Sequence, residues 1–173
     1  GDEVRRQWTA RRVAVLGAGG AARAIACGLS LAGAKVFIFN RTPARAQQLE
    51  RELHNQPMAG GGQAHVLAAS EKDLACGCFH AFVHATPQGM EGGPDPKGCP
   101  LPDEVPLDGA VVMDSVYRPR RTPLVRLATD RGARVVDGTA MFVRQAEMQF
   151  ELFTGHAAPP GLFQGLVEVA LGR

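Results

Sequence analysis

The residues best suited to chemistry begin at Gly17-Ala18-Gly19-Gly20-Ala21-Ala22. This run satisfies G-x-G-x-x-G/A with Ala22 as the final small residue, between an apolar run, Val13 to Leu16, and a stretch nearly free of breakers, Ala21 to Leu31. In a strand-turn-helix context Gly17 permits the tight turn, Gly19 lets the backbone approach a pyrophosphate, and Ala22 allows close helix-to-strand packing. The helix N-terminus then offers free N–H groups with partial positive charge. The plain alternative is a glycine-rich turn that packs tightly without a ligand. About 20 residues further on, an NAD-type site carries Asp or Glu for the ribose hydroxyls. Here the second apolar run, Lys35 to Phe39, ends in Asn40-Arg41-Thr42. A carboxylate would repel a 2′-phosphate, whereas Arg41 and the nearby Arg45 pair with one, and the helix starting at Pro43 adds its dipole. The choice points to NADP. Thr42 as a simple helix cap and Arg41 as a surface charge stay open as the bland reading, and capping is compatible with phosphate binding.

Two further polar residues stand in telling places. Gln145 interrupts the stripe Met141, Gln145, Met148, Leu152, spaced four, three and four, so a carboxamide lies on the otherwise apolar face of a helix. Spacing alone favours a core amide bonded to backbone, or a stripe edge that meets solvent. Tyr117, the only tyrosine, lies just beyond a strand that ends at Asp114. The five histidines (His54, His65, His80, His84, His156) form no metal set, and no metal is expected. Cys76-x-Cys78 reads as a pair of small apolar fillers.

The elements that must position these residues alternate in type. Strands are expected at Val13 to Leu16, Lys35 to Phe39, Ala64 to Leu67, His80 to Ala85, Ala110 to Asp114 and Arg134 to Val136. Helices are expected at Ala21 to Leu31, Pro43 to Leu53, Glu71 to Ala75, Thr122 to Arg131, Thr139 to Phe153 and Pro159 to Leu171. Such alternation implies parallel βαβ units: an α/β, doubly wound parallel sheet of about six strands, helices on both faces, and a helical C-terminus. Between Pro87 and Gly109 the chain carries six prolines and five glycines, a long loop at a strand's carboxyl end, where open α/β sheets bind ligands.

Composition sets the outer limits. At 173 residues, 45% hydrophobic and 21% charged, the chain suits one globular domain and excludes a disordered or collagen-like class. The formal charge of +2, with arginines dispersed in small groups, is too little for a nucleic-acid stripe. No run reaches the ~20 apolar residues of a membrane span. The four cysteines (Cys27, Cys76, Cys78, Cys99) suggest no disulfide ladder and the polar N-terminus no signal peptide, so a reduced, cytoplasmic setting is expected.

The segments VAVLGAGGAARA (Val13 to Ala24), FNRTPARA (Phe39 to Ala46), ATPQGM (Ala85 to Met90), DSVYRPRRTPL (Asp114 to Leu124) and DGTAMFVRQAEMQFELFTG (Asp137 to Gly155) occur in this order. Together they resemble the C-terminal, Rossmann-like cofactor half of the shikimate and quinate dehydrogenases. The resemblance implies NADP as cofactor and the reversible reduction of 3-dehydroshikimate to shikimate. It implies that Gly17, Ala18, Gly19, Gly20 and Ala21 meet the pyrophosphate, and that Asn40, Arg41, Thr42 and Arg45 hold the 2′-phosphate. Thr86, Met90 and Met141 would lie beside the cofactor, Gly138 would leave room for the nicotinamide, and Tyr117 and Gln145 would reach toward substrate.

Three departures qualify the resemblance. The family usually has Asn where this chain has His84, and an apolar residue where it has Thr139. Its catalytic lysine and aspartate, in motifs resembling N-V-T-x-P-x-K and N-T-D, are absent, and Lys35, Lys72 and Lys97 are the only lysines. The expectation is therefore a single NADP-binding domain, residues 1–173, without its N-terminal substrate domain and inactive alone. Helices in 139–173 would pack toward that domain, or against a second copy as a homodimer. The competing readings are a quinate dehydrogenase, a stand-alone NADP-binding regulatory module, and a methylene-folate or glutamyl-tRNA type oxidoreductase, the last disfavoured by the D-G-x-x-M-x-x-x-Q-A run.

Overall fold

Two five-residue, largely apolar runs build the centre of the molecule. In the computed structural model, which describes residues 3, 7–56, 64–75 and 78–172, these are β1 (Arg12–Leu16) and β2 (Lys35–Phe39). They are joined by β3 (Val66–Ala68), β4 (Ala81–His84), β5 (Val111–Asp114) and β6 (Arg134–Val136) in one sheet of order β3-β2-β1-β4-β5-β6. Every adjacent pair is parallel, with Val15 of β1 opposite both Ile38 of β2 and Val83 of β4. This is the doubly wound arrangement, and its strand order reverses direction between β1 and β4, where a crevice opens at the carboxyl ends.

The two-residue period of β1 sorts its side chains onto two faces. Val13 and Val15 join a cluster with Ala22, Ala26, Leu49 and Leu53, while Ala14 and Leu16 join one with Phe82, Leu107, Leu124 and Ala128. The first face is covered by α1 (Gly20–Leu31) and α2 (Pro43–His54). Helix α1 buries Ala22, Ala26 and Ser30, small residues four apart that let it lie close to the sheet. The second face is covered by α3 (Glu71–Ala75) and α4 (Pro123–Asp130). The chain ends in α5 (Gly138–Thr154) and α6 (Leu162–Ala170). No helix among the described residues is long and apolar enough to cross a membrane.

Expected and observed elements differ by at most three residues at their ends, but the long loop differs in kind. Its second half is part of the core: Leu101, Val105 and Leu107 are buried in the second cluster. Only the first half is free to serve the ligand edge, and it is tied by Gly89 N–H donating to the Asp95 carbonyl at 2.7 Å and Gln88 Nε2 donating to Asp95 Oδ2 at 3.0 Å. The cysteine expectation also needs correction. Cys78 is exposed and fills no core, and Cys76 lies outside the described residues. Cys99 is partly buried against the second cluster, and burial pushes its thiol up from the ordinary value.

Candidate functional site

The carboxyl ends of β1, β2 and β4 are locked together at one glycine. Gly17 N–H donates to the Phe39 carbonyl at 2.7 Å, and its φ of +124° is a conformation that a side chain would strain. A Cβ there would also sit 2.7 Å from the Ala85 carbonyl oxygen. Gly17 thus serves the turn and, equally, the close approach of β4. Gly19 and Gly20 are exposed, a Cβ on either would meet nothing within 4 Å, and α1 starts with no side-chain cap. The exposed Ala21 and half-buried Ala18 complete an open floor of backbone N–H groups, which fits a pyrophosphate.

Beside it, β2 ends where sequence placed the phosphate site. Thr42 occupies the N-cap position of α2 with Pro43 behind it, yet its hydroxyl makes no cap bond. The Asn40 carboxamide donates to the Thr42 carbonyl at 2.9 Å and folds the corner. Arg41 and Arg45 are both exposed, and neither has an ion-pair partner among the described residues. Two unpaired guanidinium groups at an uncapped helix N-terminus suit a dianionic phosphate.

Across the crevice, a cleft of about 280 Å³ opens between the ends of β4 and β5, lined by Thr86, Met90, Ser115, Val116 and Tyr117 among others. Tyr117 stacks on Phe142 of α5 with ring centroids 4.9 Å apart, and its hydroxyl has no partner among the described residues. Helix α5 reaches this edge through Gly138. A Cβ at Gly138 would lie 2.6 Å from the Val116 carbonyl oxygen and 2.7 Å from that of Ser115. In the Cβ direction protein backbone fills the space, and the glycine is what lets α5 dock on the β5 exit. Asp137 caps the helix, accepting from Thr139 N–H at 3.1 Å and pairing with Arg120 at 2.7 Å. Burial opposes ionisation of Asp137, but Arg120 and the helix N–H donors outweigh it and hold the carboxyl below its ordinary value.

Helix α5 turns a different face to the sheet than its apolar stripe suggests. Its buried residues are Gly138, Thr139 and Val143, Met141 is half-buried, and Gln145, Met148 and Leu152 are exposed. A core amide at Gln145 is thereby excluded; the carboxamide stands free on the same helix as the Phe142 that stacks on Tyr117. Thr139, the departure noted in sequence, is buried with its hydroxyl unpartnered among the described residues.

Sequence reading missed a buried polar chain behind the cleft. His84 and Asp114 are register partners at the ends of β4 and β5, and they, with Thr122, have no solvent exposure. His84 Nδ1 meets Asp114 Oδ1 at 2.9 Å, and Nε2 meets the Thr86 hydroxyl. Asp114 Oδ1 also accepts from Val116 N–H at 2.9 Å, and Oδ2 from the Thr122 hydroxyl at 2.6 Å. Thr122 in turn caps α4 by accepting from Val125 N–H at 3.1 Å. The sequence signal was present: a histidine and an aspartate each end an otherwise apolar strand.

Comparison with known proteins gives two family matches. The profile described as shikimate / quinate 5-dehydrogenase matches residues 2–63, and that described as shikimate 5′-dehydrogenase C-terminal domain matches residues 138–167. A shikimate dehydrogenase (NADP(+)) from Thermus thermophilus is 40% identical over 161 residues, covering 91% of this chain and 54% of the relative. A bifunctional 3-dehydroquinate dehydratase/shikimate dehydrogenase from Arabidopsis thaliana is 39% identical over 158 residues, covering 88% of this chain and 24% of the relative. Among solved structures, quinate dehydrogenase from Corynebacterium glutamicum in complex with NAD superposes with a TM-score of 0.80 at 26% identity, covering 97% of this chain and 58% of that one. Shikimate 5-dehydrogenase from Thermus thermophilus in complex with NADP(H) and shikimate gives 0.77 at 34% identity, covering 92% and 55%. The chain spans about half the length, or less, of the curated relatives it matches.

Proposed function

Because the chain belongs to the family of shikimate and quinate dehydrogenases, we propose that it is the NADP(H)-binding half of a shikimate dehydrogenase, the whole enzyme reducing 3-dehydroshikimate to shikimate with NADPH. The observation that carries this reading is the end of β2, where Asn40 stands in place of an acid and Arg41 and Arg45 are exposed and unpaired beside the uncapped start of α2. Those groups hold a 2′-phosphate, with Thr42 adding its free hydroxyl, while Gly17 to Ala21 cradle the pyrophosphate. Thr86, Met90 and Met141 flank the nicotinamide, which supplies the hydride when bound. Docked through Gly138, α5 closes that wall. The free hydroxyl of Tyr117 and carboxamide of Gln145 orient the substrate.

The lysine and aspartate that the resemblance implies for proton transfer have no counterpart among the described residues that line the cleft. Lys35 starts β2 at the opposite edge of the sheet, and Lys72 lies in α3 on the second face. Lys97 lies in the proline-rich loop, exposed and outside the cleft lining. The chain therefore binds cofactor and does not turn over by itself; the catalytic pair comes from a substrate domain braced by the exposed faces of α5 and α6, or in its absence those faces meet a second copy. Titration calorimetry tests the cofactor assignment. NADP is expected to bind more tightly than NAD, and Arg41→Ala to remove most of the difference at a cost of about 1–3 kcal/mol. Equal affinities for the two nucleotides in the unmodified chain would overturn the 2′-phosphate site. Turnover of shikimate and NADP by this chain at about 1 per second or more would overturn the half-enzyme reading.

A further inference from the structure

Four polar side chains in a row, three of them wholly buried, run from the cleft to the N-terminus of α4, and their hydrogen-bond polarity can be followed atom by atom. Thr122 accepts from Val125 N–H, so its own proton goes to Asp114 Oδ2. Asp114 Oδ1 accepts from Val116 N–H, which leaves the carboxylate as an acceptor on every side. His84 Nδ1 must therefore donate to Asp114, and in the neutral tautomer of the imidazole the lone pair of Nε2 faces Thr86. A hydroxyl has one proton and two lone pairs. In that tautomer the Thr86 proton goes to Nε2, and one lone pair receives Gln88 N–H at 3.2 Å. What Thr86 retains is a single lone pair, on a residue that lines the cleft.

We infer that His84 is a positioning residue that fixes Thr86 as a hydrogen-bond acceptor toward the cleft, so that the site selects a ring bearing an N–H donor, the carboxamide NH2 of a nicotinamide. This rests on the assignment of the chain as an NADP(H)-binding domain and deepens it. An Asn at position 84 would place a donor amide where Nδ1 stands and so keep Asp114 satisfied. It is too short to reach Thr86, whose hydroxyl then rotates freely and serves a carbonyl as well as an amine. Discrimination by Thr86 is a consequence of the imidazole.

The test uses this chain and three probes: NADP, its 3-acetylpyridine analogue, in which a methyl group replaces the carboxamide NH2, and adenosine 2′,5′-bisphosphate, which lacks the nicotinamide. The unmodified chain is expected to bind NADP about three- to tenfold more tightly than the acetylpyridine analogue, the worth of one neutral hydrogen bond. His84→Asn and Thr86→Val are each expected to bring that ratio to about one while leaving adenosine 2′,5′-bisphosphate affinity unchanged. Thr86→Ser, which keeps the hydroxyl, should retain the ratio. A merely structural role for His84 would weaken all three probes together or none, and either result overturns the inference. Equal binding of NADP and its analogue by the unmodified chain overturns it as well, because a Thr86 that donates would serve the carbonyl present in both. If adenosine 2′,5′-bisphosphate itself fails to bind, the cofactor assignment falls and the inference falls with it. Should His84→Asn not fold, the Thr86→Val and Thr86→Ser pair decides alone.

Discussion

The strand ends and the C-terminal helices treat exposed chemistry in opposite ways. At the ends of β4 and β5, polar side chains sit where apolar ones are usual, and each is satisfied internally: His84, Asp114 and Thr122 have no exposure and share an unbroken chain of hydrogen bonds. On α5 and α6, apolar side chains sit where polar ones are usual, and they remain open, with Leu152 78%, Phe153 80% and Val169 71% exposed. The first region is complete within this chain. The second carries a surface whose burial, on the proposed reading, belongs to a contact with another domain or copy. Stability and assembly are thus encoded in separate places, and mutations in the two should have effects of different size and kind.

The largest effect is expected at Asp114. Asp114→Ala strands the His84 ring N–H, the Val116 N–H and the Thr122 hydroxyl away from water, at a cost of about 3–5 kcal/mol. Chemical denaturation of the two proteins measures it, and a loss under about 1 kcal/mol would break the contrast, since the buried chain would then be ornamental. A middle-sized effect is expected at the joint between the regions. Asp137→Ala removes the cap of α5 and the partner of Arg120, for about 1–2 kcal/mol. Because the folded state lowers the Asp137 carboxyl below its ordinary value, that contribution is fully present above the unfolded-state value and is lost as pH falls through the folded one. The gap in stability between the unmodified chain and Asp137→Ala should be constant at neutral pH and narrow on acidification; a gap that widens in acid contradicts the sign. The smallest effect on folding is expected from Leu152→Ser with Phe153→Ser, within about 0.5 kcal/mol by the same denaturation, because neither side chain is covered. Their measurable consequence is in association: sedimentation at rising concentration should show the double variant less self-associated than the parent, and an equal tendency in both would mean the apolar face is inert.

What sequence made legible follows the same division. Periodicity and turn chemistry located the strands and helices, and Thr42-Pro43 and Gly17 to Ala22 marked the edge where the cofactor is proposed to bind, because these signals are local. His84 and Asp114 are thirty residues apart, and only the register of β4 against β5 brings them together. The burial of Leu101, Val105 and Leu107 was hidden inside a proline-rich segment whose composition reads as surface. For α5 the apolar pattern was legible as a face reserved for a contact outside this domain, and Leu152 and Phe153 are exposed. Hydrophobicity records that a face is to be covered, and it does not record by which piece of chain. Gln145 illustrates the consequence: its neighbours in the stripe suggested a core amide, and the structure leaves it in solvent.

The contact at Gly17 has a mechanical meaning. Its N–H is tied to the end of β2, and its bare Cα lies against the Ala85 carbonyl at the end of β4, so the two sides of the crevice, adenosine and nicotinamide on the proposed reading, are fastened to a common joint. The crevice therefore behaves as a gauge of fixed span. A dinucleotide either matches the distance between its two ends or forfeits contacts at one of them, and little of its binding energy is consumed in drawing the walls together. Any substitution at Gly17 would pry the joint apart and alter that span, so its signature would be a change in the preferred length of ligand before a loss of affinity for either half alone.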